Sequence, residues 1–399
     1  MVEITDLAEL RGASRHDATA ARAHAAPIPL TAVSDAPWRA LAERAIEPNA
    51  YYLPDWELAV NASAPGRTGA SALTAFDDAS PTPLIGLMPV VPLARAYKIP
   101  LPALVSAHPY GTLCTPLIDR DMADVAAAQL MQQARRAGAR ALILREVALD
   151  GPAVRAFTNM LAREGSPARV LQSHLRACLD ATSDGETLLH DALGTKKLKE
   201  LRRQRHRLAD HGAISFDVAR SPDEVAAATE TFLALEASGW KGQRGTALIQ
   251  VEGDAAFIRR ATKALAGTGQ CEIVTLRAGD TPVAAGIVLR HQARAFFFKL
   301  GVDERFAKYS PGVQLTLDLT RQLCADPTIA SADSTAGPDH PMINPIWRER
   351  FAIGDLLIPL RRHDPMVPLI EAALRSRQLV LKRARGAVRF IRKRYGNSV

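Results

Sequence analysis

The stretch Arg294–Leu323 constrains this chain more than any other. It begins with a run of strand formers, Ala295–Leu300, that includes three consecutive phenylalanines. Such a run shows no apolar/polar alternation, which is the pattern of a central strand buried on both faces. A loop follows, and Ser310-Pro311-Gly312 then opens a helix with Leu315, Leu319 and Leu323 spaced every four residues. Ser310 suits the N-cap and Pro311 the first helical position, where a missing N–H costs nothing. Gly312 is expected to leave the first-turn N–H groups unshielded. A strand feeding a helix with a bare, positive start is a site for an anionic group.

At 399 residues the chain has room for two domains of ordinary size. With 47% hydrophobic and 23% charged residues it reads as a globular protein rather than a disordered one. No apolar run approaches the ~20 residues that span a bilayer. The first residues, MVEITDLAELRGASRHD, carry acids and no apolar core, so no signal peptide is read there and the expected compartment is the cytoplasm. Cys114, Cys178, Cys271 and Cys324 lie far apart and the ten histidines are scattered, so neither a disulfide framework nor a metal is expected. Nucleotide-hydrolase, esterase-elbow and zincin motifs are absent.

The net charge of +8 is concentrated. Lys196–Arg207 holds seven bases and one acid, and Ala372–Val399 holds nine bases and no acid, which leaves the rest of the chain net negative. Two such segments suit phosphates, an anionic membrane surface or acidic partners, or else remain solvated.

In order, the chain reads as a poorly ordered arm over 1–27, then helices near Pro37–Ala45 and Asp55–Val60. Strands follow at Ser71–Phe76 and Leu84–Leu93, and a loop at Leu101–Pro109. Next come a helix over Asp121–Ala137 capped by Asp121, a strand over Ala139–Val147, a helix over Gly151–Glu164, and strands at Ala168–Gln172 and Leu175–Leu179. The pattern then restarts: a long basic helix Glu186–His211, a strand Ile214–Ala219, and a helix whose Ser221 and Glu224 have capping-box spacing. A helix Asp254–Ala266, three strands through short turns, the Ser310 helix and a strand at Ile329–Asp333 complete it. The shared order of the halves suggests an internal duplication. Where the second half has Ser310-Pro311-Gly312, the first has Thr115-Pro116-Leu117-Ile118-Asp119-Arg120-Asp121, with two carboxylates where an anion would bind.

Residues 186–360 resemble the Fem-like branch of the GNAT acyltransferases, and within it the CelD/BcsL-like proteins of cellulose and exopolysaccharide synthesis. The matching blocks are Lys197-Leu198-Lys199-Glu200-Leu201-Arg202-Arg203, Gly239-Trp240-Lys241-Gly242, Phe298-Lys299 with Asp303-Glu304, and Tyr309-Ser310-Pro311-Gly312. Four blocks in order make a more specific signature than any one alone. Tyr51–Trp56 and Tyr110–Leu117 extend the match loosely into the first half. The chain departs from the family near Ile343–Arg350, where a lysine ahead of an aromatic is missing. The resemblance implies an α/β fold with mixed sheets: tandem GNAT-like domains over 28–183, without cofactor, and 184–363, with it, followed by a basic amphipathic helix over 364–399. It implies transfer of an acyl group from acyl-CoA, in the simplest case acetyl-CoA, to an amine or hydroxyl.

The anion site then becomes a pyrophosphate cradle of Ser310, Gly312 and Val313, with backbone N–H groups of Lys299, Gly301 and Val302 polarising the thioester carbonyl. Candidates for a general base are Glu236, Asp333 and His340. Against these roles stand a solvated helix residue for Glu236, a turn-forming aspartate for Asp333 and a surface histidine for His340. Tyr309 is a candidate to protonate the leaving thiolate, with simple ring packing as its alternative. Trp240, Lys241, Ser334, His340 and Trp347 are the expected substrate pocket.

The tail residues Ile370, Leu374, Leu381, Val388, Ile391 and Tyr395 form one apolar stripe on a cationic helix, which fits the inner face of an anionic membrane or packing on the protein body. The expected acceptor is a small molecule or glycan of envelope biosynthesis. Two alternatives stay open: a Fem-type aminoacyl-tRNA-dependent transferase, the only reading with a nucleic-acid partner, and a non-catalytic scaffold of a polysaccharide synthase.

Overall fold

The computed structural model describes residues 26–395 apart from 78 and 80–82, with side chains as far as 384. The arm expected over 1–27 lies outside the described residues except for its last two. The first half runs β1 (Ile28–Pro29), α1 (Asp35–Glu43), α2 (Pro54–Ser63), β2 (Ser71–Phe76), β3 (Leu84–Pro92), α3 (Leu93–Tyr97), β4 (Ala103–Ser106), β5 (Leu117–Ile118), α4 (Ala123–Arg136), β6 (Ala141–Ala148), α5 (Pro152–Arg163) and β7 (Arg169–Asp180). The second runs α6 (Gly185–Leu208), β8 (Ile214–Ala219), α7 (Pro222–Ser238), α8 (Trp240–Gln243), α9 (Glu252–Gly267), β9 (Cys271–Ala278), β10 (Thr281–His291), β11 (Arg294–Val302), α10 (Pro311–Ala325), β12 (Ser331–Asp333), β13 (Glu349–Pro359) and α11 (Met366–Tyr395).

All strands join one sheet in the order β1-β2-β3-β4-β6-β13-β7-β12-β11-β10-β9-β8, with β5 on β3. Each half contributes one parallel pair, β4 with β6 and β11 with β12. The other pairs of that order are antiparallel, and each half's final strand crosses over. β7 ends the first half yet pairs with β12 of the second, while β13 ends the second and pairs with β6 of the first. β7 and β13 then pair with each other along most of their length. The halves are thus stitched by reciprocal strand exchange, and the sheet does not divide at 183/184.

Several local expectations change. The two strands read at Ala168–Gln172 and Leu175–Leu179 are one strand, because β13 supplies a partner along the whole segment. The loop at Leu101–Pro109 contains β4, held by β3 and β6. Asp121 does not cap α4, which starts at Ala123. Asp119, two residues earlier, instead forms a partly buried ion pair with Arg44. The basic helix is broken at Gly194, whose φ of 70° lies outside helical geometry. The capping box of Ser221 and Glu224 forms as its spacing predicts.

The run Phe296-Phe297-Phe298 divides between two cores. Phe297 packs against the α6/α10 side with Leu315, Leu319 and Trp347. Phe296 and Phe298 face the other side, where first-half residues Tyr51 and Trp56 join them. Phe298 meets the Trp56 ring edge-on at 4.9 Å between centroids, and Phe296 meets Tyr51 at 5.7 Å. Rings of this size bury much apolar area and gain further from edge-to-face geometry, so this face bonds one half to the other.

The β10–β11 turn fastens the same junction. His291 Nδ1 accepts from Asn49 N at 2.8 Å, and its Nε2 reaches Ala42 O at 2.9 Å. Gln292 Nε2 donates to Ala42 O and Ala45 O. Because an amide N–H can only donate, Nδ1 must carry a free lone pair, and the imidazole is neutral with its proton on Nε2. Burial pushes its pKa down to about 4. The unfolded chain therefore takes up a proton between pH 6.5 and 4 that the folded chain refuses. The stability this residue contributes is whole above pH 6.5 and is lost as the pH falls through that window. Urea unfolding followed from pH 7 to pH 4 should show a decline on the order of 1.4 kcal/mol per pH unit from this group, and His291→Gln should flatten it.

Candidate functional site

β11 is the spine of the site. Its pairing with β10 runs Ile287↔Lys299 but Val288↔Phe297, so Phe298 is an extra residue, a β-bulge. The bulge turns two consecutive side chains, Phe298 and Lys299, towards the α7 face. On its other edge β11 pairs with β12 only over Arg294–Phe296 and Ser331–Asp333. Beyond that point the strands part, and the Thr335 hydroxyl donates to Phe297 O at 2.6 Å.

The helix at the mouth of this splay differs in detail from the sequence expectation. Ser310 makes no side-chain cap and instead adopts a left-handed conformation with φ of 53°. Thr335, across the splay, has φ of 54°. Non-glycine residues held there carry strain on the order of 1–2 kcal/mol each. Gly312 is glycine for packing: an added Cβ would stand 2.9 Å from Leu300 Cδ2 and 3.2 Å from Val302 Cγ1. A large side chain at 312 would enter the core rather than an anion site alone. Gly301 has the same duty towards α7, where a Cβ would meet Glu236 N at 3.0 Å. The first turn of α10 still offers N–H groups with no intrahelical acceptor and carries no acid.

On the α7 face lies a buried charge cluster. Glu236 is almost fully buried, not a solvated helix residue. Its Oε1 accepts from Lys241 Nζ at 2.7 Å and Lys299 Nζ at 3.4 Å, and its Oε2 from Leu248 N at 2.9 Å. Burial alone would raise its pKa, but Lys299, Lys241 and the Leu248 amide outweigh burial and hold the carboxyl below its usual range. Burial lowers the Lys299 pKa against the pull of Glu236. Sequence reasoning missed the first-half members of this group. Tyr110 donates to Asp254 Oδ2 at 2.7 Å, and Arg67 lies 4.3 Å over the Tyr110 ring. Tyr110 was signalled only by the loose match at Tyr110–Leu117, and Arg67 by nothing in the sequence.

A second cluster centres on Asp333. Its Oδ2 faces Arg176 Nη1 at 3.3 Å and its Oδ1 accepts from Thr335 N at 2.7 Å. Arg176 is wholly buried on β7 and also donates from Nη2 to Glu146 Oε2 at 3.0 Å. Nothing in the sequence around Arg176 marks it, because its partners arrive through the strand exchange.

The remaining predicted residues scatter. Ser334 is buried beside Asp333, with its backbone N–H on Ala177 O. Tyr309 bonds His211 at 3.0 Å between Oη and Nε2. Trp240 is half exposed beneath Arg244. His340 lies on the loop after β12, its pKa lowered by burial. Trp347 has no exposed surface and donates to Thr320 Oγ1, so it is a core residue and not part of a substrate pocket. Among the described residues, no three His, Cys, Asp or Glu side chains form a metal set.

Residues 195–340 match the family described as the acetyltransferase (GNAT) domain. No curated protein matches the chain. Among solved structures it is similar to the C-terminal domain of a putative lysylphosphatidylglycerol synthetase from Agrobacterium fabrum, at 14% identity over 85% of this chain and 95% of that one, with a TM-score of 0.52. It is similar to FemX at 12% identity over 85% and 98%, with a TM-score of 0.55. A conserved protein of unknown function from Bacteroides thetaiotaomicron gives 12% over 82% and 98%, with a TM-score of 0.52. These likenesses span both halves. Residues 195–340 are thus similar to a GNAT domain, and the chain has a mixed α/β, tandem GNAT-like fold overall.

The Arg176 cluster makes a direct prediction. Arg176→Met should leave the buried Asp333 without its cation and destabilise the protein by about 3–5 kcal/mol, measured by urea unfolding. Adding Asp333→Asn should recover part of that loss.

Proposed function

We propose that the protein is an acyltransferase that moves an acyl group, in the simplest case acetyl, from a CoA thioester to an amine or hydroxyl of a polar acceptor. The observation that carries this reading is the splay of β11 from β12 beside a helix start that has free donors and no acid. A diphosphate matches such a helix start in charge and in hydrogen bonding. The fit is open at the helix and tight along the strand. Met342 Sδ would lie 3.4 Å from a Cβ at Gly312, and Thr335 holds the Phe297 carbonyl, so the segment after Asp333 must shift for a pantetheine arm to lie along β11.

Bound there, the thioester supplies the activated acyl carbon. The chain's own residues do the rest. Gly312 and Val313 present the first-turn N–H groups to the phosphates, with the uncapped Ser310 hydroxyl beside them, since the Ser310 N–H is held by Ala307 O. Backbone N–H groups at Lys299–Val302, with the Lys299 ammonium close by, favour negative charge on the acyl oxygen. Glu236 is poorly suited as a base, since two lysines on Oε1 and the Leu248 amide on Oε2 lower its affinity for a proton against the effect of burial; it positions Lys299 and Lys241. Asp333 is the base in this reading, since each of its oxygens keeps a free lone pair. Tyr309 is the donor to the leaving sulfur. Trp240, Lys241, Ser334 and His340 border the acceptor. The resemblance carried by the four sequence blocks supports an acceptor among cellulose, exopolysaccharide or other envelope precursors, with the enzyme working in the cytoplasm or at the inner membrane face.

A second reading has a specific observation in its favour. The exposed bases Lys196, Lys199, Arg202, Arg203 and Arg207 lie on α6, which packs on α10 through Arg205–Asp318 and Gln314 to Leu201 O. A donor with many phosphates, such as an aminoacyl-tRNA, would find a track leading to the same splay.

One substitution tests the first reading without damaging the core. An aspartate tolerates the left-handed position of Ser310 and suits a helix start, so Ser310→Asp should leave thermal stability unchanged or slightly higher. Its charge should repel a bound diphosphate and weaken acetyl-CoA binding in calorimetry by at least about tenfold. Equal affinity in the variant would remove the cradle assignment. Tight, steeply salt-dependent tRNA binding without CoA binding would move the donor to the second reading.

A further inference from the structure

The first half holds a cavity that the proposed reaction does not use. It has a volume of about 960 Å³ and lies between the β6-β13-β7 face and the C-terminal helix α11. That size falls within the usual range for small-molecule pockets. α11 is seated on the protein body here: Ile370 and Leu374 are buried against Ile143, Leu171 and Leu357. The start of the apolar stripe, which by sequence suits either a membrane or the protein body, is therefore a roof over the first half. Further along, Leu379 and Val380 are exposed and Leu381 lies at the cavity rim.

The charges lining this cavity are unbalanced. The Arg145 guanidinium makes no hydrogen bond or ion pair among the described residues, and rests 5.4 Å over the Tyr97 ring. Arg377 lies 4.4 Å over the same ring and has no carboxylate partner among the described residues. The two like charges are therefore closer than the ~10 Å over which salt screens at 0.1 M. Lys382 is a further cation at the wall, and Arg375, also in the lining, is paired with Glu371. The two carboxylates nearby are already engaged. Asp355 accepts from Gln172 Nε2 at 2.7 Å and from Glu146 N at 2.9 Å, and Glu146 is paired with Arg176. Repulsion between unpaired guanidiniums at a shared ring is relieved by an anion between them. The remaining wall is apolar, through Ile143, Leu171, Leu374 and Leu381.

We propose that this cavity binds an amphiphile with a phosphate or carboxylate head held by Arg145 and Arg377 and an apolar chain laid beneath α11. The site is separate from the splay of β11, and its occupancy does not depend on which acyl donor the second half uses.

Calorimetry on the full chain with decyl phosphate, below its micelle concentration, tests the proposal. Decyl phosphate should bind at least about tenfold more tightly than either decanol or inorganic phosphate, since each lacks one of the two recognised parts. Arg145→Met should weaken it by a similar factor with an unchanged circular dichroism spectrum. Arg377→Ala, on the helix surface, should weaken it too and stands in if the first variant fails to fold. No binding, equal binding of decanol or inorganic phosphate, or wild-type affinity in the variants would overturn the proposal. Flotation with phosphatidylglycerol and phosphatidylcholine vesicles separates the sources. Selective capture by phosphatidylglycerol that Arg145→Met abolishes identifies a bilayer lipid. Decyl phosphate binding without vesicle capture identifies a free amphiphile.

Discussion

A single buried guanidinium ties the two halves of this protein together. Arg176 lies on β7, the strand that the first half gives to the second, and bridges Asp333 of β12 to Glu146 of β6. Its Nε has no partner among the described residues, so the charge depends on those two carboxylates. A buried ion of this kind adds little net stability, but losing one partner is costly because the remaining charge stays out of water. Such a group selects one arrangement over others. Here it favours the strand exchange, since only that arrangement brings Glu146 and Asp333 to either side of β7.

The exchange has consequences for the splay. β12 is only three residues long and would be a weak partner alone. With β7 on one edge and β11 on the other, it becomes a fixed post from which β11 diverges at a defined point. The bulge at Phe298 then redirects Lys299, and Gly301 and Gly312 let helices approach both faces of β11 closely. Strain at Ser310 and Thr335 is held in place by this packing, as expected where a rigid frame shapes a site.

Glu146 connects the splay to the cavity beneath α11. Its carboxylate holds Arg176, while its backbone, at φ of 44°, gives its N–H to Asp355 at the cavity wall. The first half therefore contributes more than a mirror image of the second. It supplies aromatic packing under Phe296 and Phe298, the anchors for the His291 turn, and a cavity of its own. No helix among the described residues is long and apolar enough to cross a membrane.

The residues alone carried a good deal of this. The triple phenylalanine marked a strand buried on both faces, Pro311 and Gly312 marked the helix start, and Ser221 with Glu224 marked a capping box. Those signals are local, and depend on backbone sterics and apolar period within a few residues. The four blocks that resemble the family and the halves' shared order carried the expectation of an α/β, tandem GNAT-like architecture. The tertiary structure decided what local signals cannot encode. It buried Glu236 between two lysines, put Trp347 in the core, made Gly312 a packing glycine and seated the first turns of α11 on the first half. Each of those outcomes rests on side chains brought in from another element of the fold. Arg176 is the limiting case: an arginine in a strand looks like any surface arginine until the exchanged strands close around it.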